Sequence, residues 1–189
     1  RISGETAEMF QLGYSHDSYD DLKNHLKCKG YQETELIAAG VAKERDDGSG
    51  CYDRFRNKLM FPIRDDRGWV MGFGARALDD SQPKYLNSPQ TQLFDKSSIL
   101  YGIDRAKSAI RKENRAIVVE GYMDVLTSHQ YGWNNTIASM GTALTGKQMS
   151  ALRKLTSNIV LALDADLAGE EAIRRFAESI DAENSLGSE

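Results

Sequence analysis

The chain has few of the residues that build soft-metal and redox sites. Its 189 residues include 2 cysteines and 3 histidines. Cys28 and Cys51 stand apart, with no CxxC spacing and no histidine at ligand spacing, so the pattern excludes a zinc module and gives two free thiols. His16 and His25 lack an acidic or thiol partner at ligand spacing and read as surface residues. His129 falls near the far end of a helical segment, away from any candidate chemistry. No apolar run is long enough to span a bilayer and no signal-peptide pattern opens the chain; the reading is a cytoplasmic protein without a membrane partner. There is no internal repeat and no low-complexity tract. What remains, 40% hydrophobic and 28% charged residues, is the composition of an ordinary folded chain of one or two domains.

The formal net charge is −4, which by itself argues against a nucleic-acid binder, but the charges are unevenly distributed. From Arg54 to Arg115 there are 13 basic residues and 7 acidic ones. The middle of the chain is a basic island between acidic flanks, against the alternative of a solvated surface of mixed charge.

In chain order, residues 1–50 read as three short helices: one around Gly4–Phe10 ending near Gly13, one from Ser18 to Leu26, and one from about Thr34 to Ala39 that stops at Gly40. Asp46–Gly50 is a loop by composition. Lys58–Ile63 and Trp69–Arg76 then read as strands of a hairpin joined by a turn at Asp65–Gly68. Gly72 and Gly74 mimic the spacing of a dinucleotide fingerprint, but no helix opens behind them. Glycines within a strand mark a bulge or a close approach instead. Residues 81–96, broken by Pro83 and Pro89, read as a long irregular loop, the kind that is usually functional. Lys84, Asn87 and Lys96 in it are placed to bind phosphates or bases. A helix follows from Ser98 to about Arg111, with Leu100, Ile103, Ala106 and Ile110 on one face. The polar stretch around Lys112–Arg115 is the expected domain boundary, giving domains 1–112 and 113–189.

From Ala116 the periodicity changes to alternating strand and helix. Ala116–Val119 ends in Glu120, with Asp124 one turn into the next helix. Asn135–Met140 leads into a loop carrying Thr142 and Thr145, where substrate contact and helix capping are equally good readings. Asn158–Leu163 ends in Asp164 and Asp166, and Ile173 to Ile180 mark a last helix. Connections of this kind make the strands parallel, and ligands of open parallel sheets sit beyond the carboxyl ends of the strands. Four carboxylates, Glu120, Asp124, Asp164 and Asp166, therefore gather at one rim if the strands that carry Glu120 and Asp164 are neighbours. Like charges so grouped need cations, and hard oxygen donors suit Mg²⁺ or Mn²⁺. Such ions can bridge a nucleotide's phosphates, activate a hydroxyl and stabilise a leaving pyrophosphate. The competing reading is that acids after a strand merely cap the helix that follows.

These stretches resemble a known family. Val118-Val119-Glu120-Gly121-Tyr122-Met123-Asp124-Val125, Met140-Gly141-Thr142-Ala143-Leu144-Thr145 and Asp164-Ala165-Asp166-Leu167-Ala168-Gly169 look like the Toprim domain of bacterial DnaG-type DNA primases. Upstream, Tyr52-Asp53-Arg54-Phe55-Arg56-Asn57, Met60-Phe61-Pro62-Ile63-Arg64-Asp65, Gly72-Phe73-Gly74-Ala75-Arg76 and Pro83-Lys84-Tyr85-Leu86-Asn87-Ser88-Pro89 resemble that family's polymerase core in order. The resemblance implies a mixed fold, a basic α+β subdomain followed by a truncated Toprim parallel sheet of Rossmann-like α/β type. It implies synthesis of short RNA primers from ribonucleoside triphosphates on a single-stranded DNA template, with a replicative helicase as partner through a module outside this stretch. By the same resemblance Glu120 is a candidate general base and organiser of the metal site. Asp124, Asp164 and Asp166 are then metal ligands, and Arg54, Arg56, Arg76, Lys84, Asn87 and Lys96 line the template or nucleotide path. Two departures stand out: Ala165 replaces the family's glycine between the two aspartates, and a further acidic motif of the family lies beyond these residues. The rival readings are a Toprim nuclease or topoisomerase fragment and a non-catalytic single-strand-binding module.

Overall fold

The computed structural model describes residues 1–140, residues 144–164 and Arg174. In chain order the elements are α1 (Gly4–Met9), β1 (Gly13–Ser15), α2 (Asp21–Cys28), α3 (Glu33–Ala38), β2 (Ala42–Glu44), β3 (Cys51–Asp53), β4 (Lys58–Arg64), β5 (Val70–Ala77), β6 (Tyr85–Asn87), α4 (Ile103–Glu113), β7 (Ala116–Val119), α5 (Tyr122–Gln130), β8 (Thr136–Ala138), α6 (Gly146–Arg153) and β9 (Ile159–Leu161). They fall into two compact units. The first comprises Ala7–Ile63 and Trp69–Asp95, and the second Arg1–Thr6, Arg64–Gly68 and Lys96–Glu189.

The first unit is built on a four-stranded sheet of order β1-β4-β5-β6. β1 pairs antiparallel with β4, and β5 antiparallel with β6, Arg76 facing Tyr85 and Gly74 facing Asn87. Phe61 and Ile63 of β4 alternate into the core and are fully buried, the period-two pattern of a strand with one apolar face. A separate hairpin, β2 with β3, packs beside α2 and α3, where Leu36, Ala42 and Cys51 form a small core. The segment 81–96, expected to be irregular, contains β6. Its pairing with β5 supplies backbone partners that a short polar strand cannot advertise in sequence. β1, β2 and β3 were likewise not legible, each being three residues long.

The close approach expected at the strand glycines is present at Gly72. A Cβ there would lie 2.9 Å from the Phe94 ring and 3.1 Å from Ser88 Oγ, so the absence of a side chain is what lets the segment after β6 pack flat on β5.

The second unit holds a parallel sheet of order β8-β7-β9. β7 is its centre, with Ile117 level with Thr136 on one side and with Val160 on the other. α4 lays Ile103, Ala106 and Ile110 against it, beside Val118, Ile137 and Leu152. Each fully buried isoleucine or leucine in such a cluster contributes about 1.5–3 kcal/mol. α4 has its apolar face on the parallel sheet, so it groups with the strands that follow it. The described start of α4 at Ile103 is later than the expected Ser98, because Tyr101 makes a bridge to Ala138 first. Among the described residues, no helix is long and apolar enough to cross a membrane. Apart from Arg174, the expected helix from Ile173 to Ile180 lies outside the described residues, as does Thr142.

Candidate functional site

The adjacency that the acids require is met, because β7 pairs with β9 directly. Glu120 follows the last residue of β7, and Asp164 lies three residues beyond the end of β9. Glu120 Oε1 accepts a hydrogen bond from the Asp164 backbone N–H at 3.0 Å. This bond ties the ends of two neighbouring strands together. Asp124, at the third position of α5, accepts from the backbone N–H of Gly121 through Oδ2 at 3.1 Å. The capping reading therefore holds for one oxygen of Asp124. Glu120 is half-buried, and Asp124 and Asp164 are exposed. Among the described residues, no group of three or more His, Cys, Asp or Glu is close enough to hold a metal ion. Asp166, the fourth expected carboxylate, lies outside the described residues.

The backbone that carries Glu120 and Asp124 is anchored from below. Tyr122, between them, is buried and meets Tyr101 edge to face, with centroids 4.7 Å apart and planes at 87°. Burial pushes both phenols well above their ordinary range, so they stay neutral. Tyr101 in turn exchanges two backbone hydrogen bonds with Ala138 of β8, at 2.9 and 3.1 Å. This anchor was missed in sequence, although a tyrosine directly after the glycine of a strand-to-helix turn was there to prompt it. Thr145 is a capping residue. Its hydroxyl accepts from the N–H of Gln148 at 3.1 Å and donates to the Ser97 carbonyl. The fully buried Gln148 side chain donates to the carbonyls of Lys96 and Ile99 at 3.2 and 2.8 Å, fixing the backbone at Lys96.

Five of the six expected basic or polar contacts lie in the first unit. Arg54 Nη2 donates to the Asn87 carbonyl at 3.3 Å, joining the segment after β3 to β6. Arg54 Nε is buried and has no hydrogen-bond partner among the described residues. Burial lowers the guanidinium's proton affinity from its ordinary value, yet an arginine keeps its charge at neutral pH. Arg76 lies over the Tyr85 ring, 5.8 Å from its centroid. Lys84, next to Tyr85, is exposed, and its carbonyl accepts from Ala77 N–H at 2.8 Å. Arg56 Nη1 donates to the Asp53 carbonyl at 2.7 Å. The paired strands β5 and β6 thus carry Arg76 and Asn87, and Lys84 directly precedes β6. Lys96 belongs to the second unit.

A cavity of about 910 Å³ also lies in the first unit, near α2, α3 and β4. Its walls are mainly apolar, with Leu22, Leu36, Phe55 and Phe73, and among the described residues they include Asp21, Glu35, Asp53, His16 and His25 but no lysine or arginine. It is unsuited to phosphate. His16, on its rim, has a partner that sequence spacing did not reveal: Nδ1 lies 3.1 Å from Asp21 Oδ2, in an exposed pair. Hydrogen bonding with the Ser18 hydroxyl first, and with His16 second, holds the Asp21 carboxyl below its ordinary value.

The chain thus contains an antiparallel sheet that bears basic side chains and a parallel sheet in which two acid-bearing segments are tied by a hydrogen bond. Residues 1–107 match the family model described as the DNA primase catalytic core, N-terminal domain, and residues 117–186 match the Toprim-like model. The chain belongs to the DNA primase catalytic-core family. It is 46% identical over 172 residues to a DNA primase of Deinococcus radiodurans and 48% identical over 175 residues to one of Clostridium acetobutylicum. These alignments cover 90% and 92% of this chain, but only 30% and 29% of those proteins, so the chain spans about a third of the relatives it matches. Among solved structures, the Escherichia coli primase catalytic core superposes with a TM-score of 0.83 at 42% identity, over 92% of this chain and 55% of that one. A DnaG primase catalytic domain bound to single-stranded DNA superposes with a TM-score of 0.82 at 41% identity, over 92% and 54%.

Proposed function

We propose that the chain is the part of a primase that holds the template and begins the metal site, so that its parent joins ribonucleotides into short RNA primers on single-stranded DNA. In this reading residues 1–112 carry the template path through Arg54, Arg56, Arg76, Lys84 and Asn87, with Lys96 completing it, and residues 113–189 carry the acids. The observation that supports it most is the bond from Asp164 N–H to Glu120 Oε1, which ties two acid-bearing strand ends at the rim where an open parallel sheet binds its ligand. Five members of the template set are grouped on one unit in a family whose solved members include a DNA-bound form.

The donor chemistry fits a divalent cation. Glu120, Asp124 and Asp164 offer only carboxylate oxygens, which Mg²⁺ and Mn²⁺ prefer, and one oxygen of Glu120 and one of Asp124 is already aligned by a backbone N–H. Glu120, Asp124, Asp164 and Asp166 would hold the ion or ions. When bound, they supply charge neutralisation for the triphosphate and for the departing pyrophosphate. Glu120, half-buried between two strand ends, is the candidate to accept the proton of the attacking 3′-hydroxyl. Arg54 and Lys84 hold phosphates by charge, and Asn87 adds polar contacts. A replicative helicase and a zinc module belong, in this reading, to other parts of the parent.

Asp164→Asn in the parent protein tests the assignment. Primer synthesis on a single-stranded template falls at least about 100-fold, the scale of losing a charge-stabilising group at a phosphoryl-transfer site. Titration of the 189-residue chain with Mn²⁺, followed by calorimetry, shows weaker binding in the variant. Unchanged synthesis and unchanged Mn²⁺ binding overturn the metal role.

A further inference from the structure

We propose that the cavity in the first unit is a binding site for a small molecule that joins an apolar body to a protonated amine. The template and metal reading makes no use of this cavity, so the two stand or fall separately. At about 910 Å³, the cavity matches the pockets that enclose small organic ligands, roughly 300–1,000 Å³. Its lining, from Tyr14 to Phe73, falls wholly within the first unit.

The apolar part comes from a helix that the fold leaves uncovered. α2 carries Leu22 and Leu26 one turn apart on a single face, both on the cavity wall, yet none of its eight residues is buried. A helix this short gains its stability from packing rather than from propensity. Here it is held at its start instead, where the buried Asp53 carboxylate accepts from the N–H groups of Leu22 and Lys23 at 2.7 and 2.8 Å. Phe55 and Phe73 add two rings to the wall, packed edge to face with centroids 6.3 Å apart. The cavity is therefore preformed, and an occupant takes its apolar surface out of water at little ordering cost.

The polar part selects the sign of the ligand's charge. Asp21 and Glu35 stand on the wall, and Glu35 uses Oε2 to accept from the Gln32 N–H at 2.7 Å. The lysines of α2 are engaged elsewhere. Lys23 Nζ donates to Asp20 and to the Cys51 carbonyl, Lys27 Nζ donates to Glu33 at 2.7 Å, and neither lines the cavity. Among the described residues, His16, 3.1 Å from Asp21 Oδ2, and His25 are the basic side chains on the wall. Two tyrosine rings join the lining, Tyr14 at 52% and Tyr31 at 51% exposure. The Tyr14 hydroxyl donates to Asn57 Oδ1 at 2.8 Å, which fixes that ring. Carboxylates that share a cavity with exposed aromatic faces attract an ammonium group by charge and by cation–π contact, and they repel phosphate. A nucleotide is thus the wrong ligand and an apolar amine the right one.

The test uses the 189-residue chain and two fluorescent probes that share a dansyl ring and a pentamethylene tail. Monodansylcadaverine ends in an ammonium, and dansyl-6-aminohexanoate ends in a carboxylate. The ammonium probe brightens on binding and binds about tenfold more tightly than the carboxylate probe, the scale of one cation–π contact with one exposed ion pair. Asp21→Asn combined with Glu35→Gln removes that preference and keeps the shape of the wall. Both acids are exposed, so this variant retains the wild-type far-ultraviolet circular dichroism. Leu22→Gln weakens both probes alike, by about threefold or more, because the cavity loses apolar surface. Binding of neither probe by the wild type overturns the proposal, as does unchanged affinity for the ammonium probe in either variant. Equal affinity of the wild type for both probes also overturns it, and marks a plain apolar face of the kind a protein segment covers.

Discussion

One added methyl group measures how tightly the first unit is packed. At Gly72 the new carbon meets Phe94, which is 1% exposed, and the Ser88 hydroxyl, whose oxygen accepts from the Phe73 N–H at 3.0 Å. Gly72→Ala therefore forces either the ring or the segment 88–94 off β5, at about 1–3 kcal/mol of overpacking strain. Urea denaturation of the two proteins checks this, with a lower midpoint and an unchanged slope expected. Residues of this kind explain why the strand glycines resembled a cofactor fingerprint: spacing alone cannot separate a glycine that admits a ligand from one that admits a neighbouring ring. Cys51 is similar in that its meaning lies in packing. It is 1% exposed among Leu36 and Ala42, and burial pushes its thiol above the ordinary range, so it behaves as a small apolar residue.

At the scale of elements, α5 is held to β8 by a histidine. His129 is buried, and its Nε2 lies 2.9 Å from the Thr136 carbonyl, so the neutral ring donates there. Burial lowers its proton affinity from the ordinary imidazole value of 6.5, outweighing the opposing pull of the Thr136 carbonyl and of Asp104, while Arg105 adds to the lowering. The folded state thus binds fewer protons at this site than the unfolded chain does. Its contribution to stability is complete above the unfolded value and is lost as pH falls from there through the folded value. Unfolding free energy measured at pH 7.5 and 5.5 decreases on acidification, and His129→Gln reduces that decrease. A decrease of the same size in the variant would assign it elsewhere. Sequence reading had set His129 apart from the chemistry, and it does have a different job. What was legible at this scale was the parallel half: Ala116–Val119 and Ile159–Leu161 are apolar runs ending in acids, and buried parallel strands announce themselves in that way. The three-residue strands β1, β2, β3 and β6 were not, since their partners lie far along the chain and a run that short has no period to read. Of the acidic set, Glu120 directly follows β7, whereas Asp164 lies three residues beyond β9, and the pairing of β7 with β9 is what brings the Asp164 N–H to Glu120.

For the molecule as a whole, net charge misleads because the sign changes along the chain. The formal charge is −4, yet residues 54–115 carry 13 basic and 7 acidic side chains. Not all of those cations are available to a nucleic acid. Lys58 is 7% exposed, and Lys107 on α4 donates to the Asp66 carbonyl. Arg76 and Lys84 differ from these in standing on β5 and directly before its partner β6, with Lys84 exposed. A strand that binds there releases counterions, and each neutralised phosphate adds about 0.7 to the slope of log affinity against log salt for single strands. Arg76→Ala and Lys84→Ala each lower the magnitude of that slope by about 0.7, and the double variant lowers it by about 1.4, with weaker binding at every salt concentration. Lys107→Ala leaves the slope where it was. If the Arg76 and Lys84 variants kept the wild-type slope while Lys107→Ala lowered it, the template path would run over α4 rather than over the β5–β6 pair, and the division of labour between the two units would have to be reversed.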